Sequence, residues 1–279
     1  MGTSAKDVKN RIKSVESTMH ITKAMELVAS SKLKKAKDRM EKSRAYFEIM
    51  RKALSDIAAC DSGSNSVFLK QRENKKSCYI VIAGDRGLAG GYNNNIFKLT
   101  TADIDTDCCF LPIGKRSFDF CQRNKFEILS DEFVVVEKID RKQCSKIGKM
   151  LTKEFVKGSF DSVSIVYTHF DSMLSQTARI IKILPLSASE EGSQDKGFVL
   201  YEPSIESVFN AIVPEYVAGL VYGAVCESYA SELAARRTAM DSASKNAEKM
   251  IDDLSLKYNR ARQNAITQEI TEIVAGAEG

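Results

Sequence analysis

The stretch IVIAGDRGLAGGYNNNIF, residues 80–97, sets glycines 84, 87, 90 and 91 directly after an apolar run. Glycines between a strand and a helix can cradle a phosphate, because backbone N–H groups converge at the helix N-terminus. The spacing argues against that use. G-x-G-x-x-G needs two glycines one residue apart, whereas two residues separate Gly84 from Gly87, and no G-x-x-x-x-G-K-[ST] occurs. The alternative is a tight strand-to-helix turn, in which glycine takes backbone angles closed to other residues and Asp85 and Arg86 brace the bend. No cofactor is expected.

Other chemistry is equally sparse. Seven cysteines (60, 78, 108, 109, 121, 144 and 226) are scattered without a C-x-x-C pair. With only two histidines, His20 and His169, a structural zinc site has too few ligands, so no metal is expected. Reduced thiols in a reducing cytosol fit better. Neither H-E-x-x-H nor G-x-S-x-G is present, and no histidine has a signature pairing it with a nucleophile, so no catalytic residue is assigned. His20 lies beside an apolar seam and is expected to pack there; His169 ends a strand. The basic run KLKKAKDR (32–39) reads as a solvated helix face, with an anionic surface as the rival. Formal charge is only +4 and aromatic interleaving is absent, so no nucleic-acid partner is expected.

The elements around these residues are of two kinds. Stepping by alternating fours and threes from Val8 meets Ile12, Val15, Met19, Thr22, Glu26, Ala29, Leu33, Ala36, Met40, Ser43, Phe47, Met50, Leu54 and Ile57. Twelve of those fifteen are apolar, and neither proline nor glycine interrupts Lys6 through Cys60. A heptad seam this long predicts a coiled-coil helix of roughly 75–80 Å. From Cys226 the same stepping gives Ala230, Leu233, Arg237, Met240, Ser244, Ala247, Ile251, Leu254, Tyr258, Ala261 and Ala265. The pattern then drifts onto Ile266, Ile270 and Ile273, within a helix expected from about 208 to 275. Residues 6–52 hold fourteen Lys/Arg against six Asp/Glu, and residues 208–279 hold seven against ten. Opposite charge on two long seams predicts an antiparallel two-helix coiled coil.

The middle alternates faster. SCYIVIA (77–83), CCFLPI (108–113), DSVSIVYTHF (161–170) and ARIIKILPL (178–186) read as strands, with helices near 91–101, 115–124 and 140–157. That interleaving predicts a Rossmann-like α/β domain with a mostly parallel sheet. The expected division is an N-terminal coiled-coil helix (1–60), a polar linker (61–76), the α/β domain (77–202) and a C-terminal coiled-coil helix (203–279). Residues 187–197 read as a loop. No apolar run approaches the roughly 20 residues of a membrane span. The N-terminus lacks the apolar core of a signal peptide, and Asp7 and Glu16 argue against a transit peptide.

With both helices located, the whole chain resembles the gamma subunit family of F-type ATP synthases. RIKSVESTMHITKAMELVASSKLKKA (11–36) is similar to the family's N-terminal motif. GDRGLAGGYNNNI (84–96) resembles its S-D-R-G-L-C-G-G-x-N motif, with Gly84 in place of serine and Ala89 in place of cysteine. LYEP (200–203) and the block from Glu227 to Ala277 resemble its C-terminal signature, with Arg237 where methionine is usual. The chloroplast members' inserted cysteine pair is missing, and a bacterial type is expected.

The resemblance implies a non-catalytic rotor. In that family the paired helices form a bent shaft within an alternating hexamer of alpha and beta subunits, while the α/β domain sits near the membrane beside the epsilon subunit and the c ring. Nucleotide binds the ring subunits. Carried over by motif, Arg262 and Gln263 correspond to a pair touching a loop of a catalytic subunit, Met25 and Lys23 lie close to another such loop, and Tyr201 and Glu202 fall in the base facing the c ring. The implied location is the cytoplasmic face of the cell membrane, peripheral, within the complex. A rival from another class is a free-standing nucleotide-using enzyme that oligomerises through its coiled coil.

Overall fold

The computed structural model describes residues 5–58, 66–72, 76–104, 107–133, 135–186, 202 and 204–277. Half of the expected linker, the loop at 187–197 and Tyr201 lie outside the described residues. In chain order the elements are α1 (Ala5–Ala58), β1 (Lys76–Ile82), α2 (Tyr92–Asp103), β2 (Asp107–Ile113), α3 (Lys115–Arg123), β3 (Glu127–Ile128), α4 (Arg141–Lys157), β4 (Ser162–Phe170), β5 (Gln176–Leu184) and α5 (Ile205–Ala277), with a 3-10 turn at Val136–Lys138. The chain divides into a sheet unit, residues 31–235, and a helical unit made of residues 1–30 and 236–279.

In the sheet unit five strands run in the order β3-β2-β1-β4-β5. The pairs β1–β2, β1–β4 and β2–β3 are parallel, and β4–β5 is antiparallel. Central β1 is buried from Ser77 to Ile82, as a parallel strand covered on both faces requires. Its alternate side chains go to different cores. Cys78, Ile80 and Ile82 pack with Ile147, Leu151 and Phe155 of α4 and with Phe209, Val213, Val217 and Val221 of α5. Tyr79 and Val81 pack with Tyr92 and Ile96 of α2 and Cys121 of α3. The result is helix, sheet and helix in three layers.

Two glycines set this packing. Gly114 leads β2 into α3 at φ +103°, and a Cβ there would lie 1.9 Å from the Ala83 carbonyl oxygen. Gly148 lets α4 touch α5, since a Cβ on it would sit 2.3 Å from the Pro214 carbonyl oxygen. Helix α4 begins with a capping box between Asp140 and Gln143 and ends at Gly158 in the left-handed region. Proline at 214 falls inside α5, as the expected helix from about 208 requires. One 18-residue window of α5 reaches a mean hydropathy of 1.4, enough by composition for a membrane span and contrary to the expectation from the sequence. The fully buried Phe209, Val213, Val217 and Val221 show α5 serving as a core helix of the sheet unit.

Within the sheet unit α1 and α5 are antiparallel. Lys32 and Tyr229 both reach Glu137, while Ser43 faces Gly223 further along. Leu33, Ala36 and Met40 pack on Cys226, Ala230, Leu233 and Ala234. The alanines allow close approach of the two backbones.

In the helical unit, too, the covered positions of α1 and α5 are the expected seam positions. Val8 and Ala29 are buried, Ile12, Val15, Met19 and Thr22 are half-buried between exposed neighbours, and Glu26 is half-buried beside Met25. On α5, Met240, Ser244 and Ala247 are buried, and Arg237, Ile251, Leu254, Tyr258 and Ala261 are half-buried. The Thr22 and Ser244 hydroxyls meet at 2.7 Å inside the seam. Two expectations need correcting. His20 is exposed, because it follows Met19 onto the solvent flank, and the seam ends at Ala261 because Ala265 is already exposed.

Candidate partner-contact sites

The glycine stretch folds into a self-tied loop at the C-terminal end of β1. Asn93 Oδ1 accepts from the Gly84 N–H at 2.9 Å, and Asn93 Nδ2 donates to the Arg86 carbonyl. The Asp85 carboxylate accepts from the backbone N–H of Lys115 at 3.2 Å, Val136 at 3.1 Å and Glu137 at 3.4 Å. Asp85 therefore braces the bend as expected, tying its loop to α3 and to the 3-10 turn, while the exposed Arg86 accepts at its carbonyl and its charge favours the Glu137 carboxylate. The donors that a phosphate would need at Gly84 and around Asp85 are committed to this chain's own oxygens. Gly84 also explains its own identity, since a Cβ there would lie 2.8 Å from the carboxyl carbon of buried Glu232. Leu88, at φ +62° and 64% exposed, projects from the loop.

The residues carried over by motif are scattered rather than gathered. Lys23 is exposed and Met25 half-buried on α1, and Arg262 and Gln263 are exposed on α5. All four belong to the helical unit. Ser244, opposite Thr22, precedes Arg262 by eighteen residues, about 27 Å of helix, so these positions form two stations and not one pocket. Glu202 is exposed in the sheet unit, and Tyr201 lies outside the described residues. Beyond Ala261 the described residues are all exposed through Gly276, including Ile266 (48%), Ile270 (56%), Ile273 (71%) and Val274 (52%). Such an apolar surface is the signature of a partner-facing element.

Sequence reasoning missed a polar network in the sheet unit. Buried Glu227 of α5 takes Arg44 Nε of α1 at 2.7 Å on one oxygen and lies 2.7 Å from His169 Nδ1 of β4 on the other. Nε2 of His169 faces Asp171 at 3.7 Å, and Asp171 binds Thr177 and Arg179 of β5. Glutamates at 227 and 232, within an apolar seam, were the available signal. Nearby, Arg39 donates to the Tyr222 hydroxyl at 2.9 Å and to the Ile139 carbonyl at 2.7 Å. The Lys32 ammonium, donating at 2.7 Å, holds the Glu137 carboxyl below its ordinary range. Burial pushes the thiols of Cys121 and Cys144 up to about 12, so they stay protonated and unreactive at neutral pH. Among the described residues no group of His, Cys, Asp and Glu could hold a metal.

Comparison with known proteins places these features. A family model described as ATP synthase matches residues 4–279. The ATP synthase gamma chain of Ruminococcus albus is 46% identical over 274 residues, covering 96% of both chains. The sodium ion specific ATP synthase gamma chain of Acetobacterium woodii is 41% identical over 299 residues, covering 100% of this chain and 99% of that one. Among solved structures, the rotor of Euglena gracilis mitochondrial ATP synthase shares the fold with a TM-score of 0.67 at 18% identity, over 94% of this chain and 98% of that one. The central stalk and c ring structure of Tetrahymena thermophila mitochondrial ATP synthase contains a chain with a TM-score of 0.59 at 23% identity, over 80% of this chain and 99% of that one. With a full-length family match and relatives above 40% identity, the chain belongs to the ATP synthase gamma chain family.

Proposed function

We propose that the chain is the central rotor shaft of an F-type ATP synthase and is itself non-catalytic. It would turn with a c ring driven by ion flow and force the sites of an alternating hexamer of alpha and beta subunits through their states in sequence. The observation that carries this reading is the uncovered apolar end of α5 beyond Ala261, in a chain of this family. That end presents one helix with unequal faces. A rotor needs such asymmetry, because a partner shifts an equilibrium only by interacting differently with its states.

Arg262 and Gln263, with Met25 and Lys23, would meet loops of the catalytic subunits. Tyr201 and Glu202 would face the c ring, with an epsilon subunit beside the sheet unit, at the cytoplasmic face of the cell membrane. The self-tied glycine loop supports a chain that positions partners without binding nucleotide. Affinity capture of the intact chain from its host, with the partners identified by mass spectrometry, tests the assignment. Recovery of the hexamer and c ring subunits is expected; ATP binding or turnover by the purified chain alone would favour a free-standing enzyme. In the assembled complex Arg262→Ala should slow ATP turnover at least about twofold. The isolated chain's melting temperature should hold, since exposed substitutions stay within about 0.5 kcal/mol.

A further inference from the structure

Within the sheet unit, α1, β4, β5 and α5 surround a cavity of about 340 Å³. That volume lies in the range of roughly 300–1,000 Å³ typical of small-molecule sites. Its walls are mainly apolar, including Ile165, Ile183, Leu220 and Ala224, and its polar lining includes Arg44 and Tyr167. Two donors there are open to an entering ligand, the half-exposed Arg44 and the Tyr167 hydroxyl. Arg44 gives only its Nε to Glu227, leaving its terminal nitrogens without a partner among the described residues. Tyr167 is 7% exposed, and its hydroxyl likewise has no hydrogen-bond partner among the described residues. The Tyr167 ring is buried while its hydroxyl stays open to the cavity, so it can donate to a group that enters there.

The sign of a ligand follows from the charges. Glu227 is already engaged by Arg44 and by His169, so a cation would find no free carboxylate and would face the guanidinium. Lys182 also borders the cavity, but it pairs in register with Ser164, whose side chain alternates away from Ile165 and Tyr167, so its ammonium is not counted. We propose that this cavity binds a single-chain carboxylate, a fatty-acid-like amphiphile with its head group on Arg44 and Tyr167 and its tail among Ile165, Ile183, Leu220 and Ala224. The site belongs to the sheet unit and stands apart from the shaft reading.

Titration of the full-length chain with ¹³C-carboxyl decanoate, followed by NMR and calorimetry, tests this. One saturable site is expected, with decanol bound at least about tenfold more weakly, the equivalent of one charge-assisted hydrogen bond. Tyr167→Phe keeps the cavity's shape and should weaken decanoate about tenfold while leaving decanol unchanged. Ala224→Leu should fill the cavity and abolish binding of both. Should Ala224→Leu fail to fold by circular dichroism, the Tyr167→Phe comparison decides alone. Non-saturable uptake, equal affinity for decanol and decanoate, or undiminished binding by a folded Ala224→Leu chain would each overturn the proposal.

Discussion

Glu227 ties a helix, a strand and a second helix together with two oxygens, accepting from Arg44 and meeting His169. Its side chain is 11% exposed, whereas that of Arg44 is 44% exposed, so their loss should be unequal. Glu227→Ala is expected to lower stability by about 1–3 kcal/mol, because two polar partners lose their acceptor. Arg44→Ala should cost under about 1 kcal/mol, since a half-exposed pair is screened by water. Urea midpoints of the two variants check the order. The Cys144 thiol carries a pH signature. Burial raises it from 9.0 to about 12, so the folded chain holds that proton more tightly than the unfolded chain. Its contribution is therefore complete below about pH 9 and is lost as the pH climbs toward 12. Cys144→Ala should flatten that alkaline decline in a denaturation series. At this scale the sequence was informative where chemistry is local. Glycine spacing argued against a phosphate loop, and Asp85 was recognisable as a brace. Glu227 was not, because its partners lie 183 and 58 residues away and only the folded chain aligns them.

Among the elements, α1 and α5 were the most legible, because a heptad period repeats its evidence every turn or two. Thirteen expected seam positions of α1 are described, and each is buried or half-buried. Their ends were not legible. Ala261 and Ala265 look alike in sequence, but only the first is partly covered. The two-residue β3 left no pattern, since its pairing with β2 rests on two register positions. Proline at 214 gave no stop, because tertiary packing around Phe209, Val213 and Val217 outweighs one lost helical hydrogen bond. The joint between β2 and α3 is the weakest place to alter. Gly114→Ala would add both a strained φ and a Cβ 1.9 Å from a carbonyl oxygen. A loss of about 3 kcal/mol or more is expected, visible as a fall in thermal midpoint.

For the whole molecule, burial divides sharply by region. The sheet unit holds cores on both faces of its sheet, whereas nothing among the described residues buries α5 from Arg262 to Gly276. Amide exchange should follow that division. In the isolated chain, residues beyond Ala261 should exchange orders of magnitude faster than β1, and inside an assembled complex they should become protected. Equal rates in both states would remove α5's tip from the partner surface. The family resemblance was legible across the full length because motifs lie at both termini and in the glycine loop. The cavity was not, because no sequence period encodes an empty space.

The pair of hydroxyls at Thr22 and Ser244 sits in a seam that is mainly apolar, with Glu26 and Arg237 its charged members. An apolar zipper alone would let one helix creep along the other by a heptad at little cost. Here such creep would take from buried Ser244 the Thr22 oxygen it meets, a penalty of about 1–3 kcal/mol, while Thr22 keeps its bond to the Met19 carbonyl. The pair thus works as a key in its keyway, holding axial position under a twisting load while the neighbouring apolar contacts carry the grip.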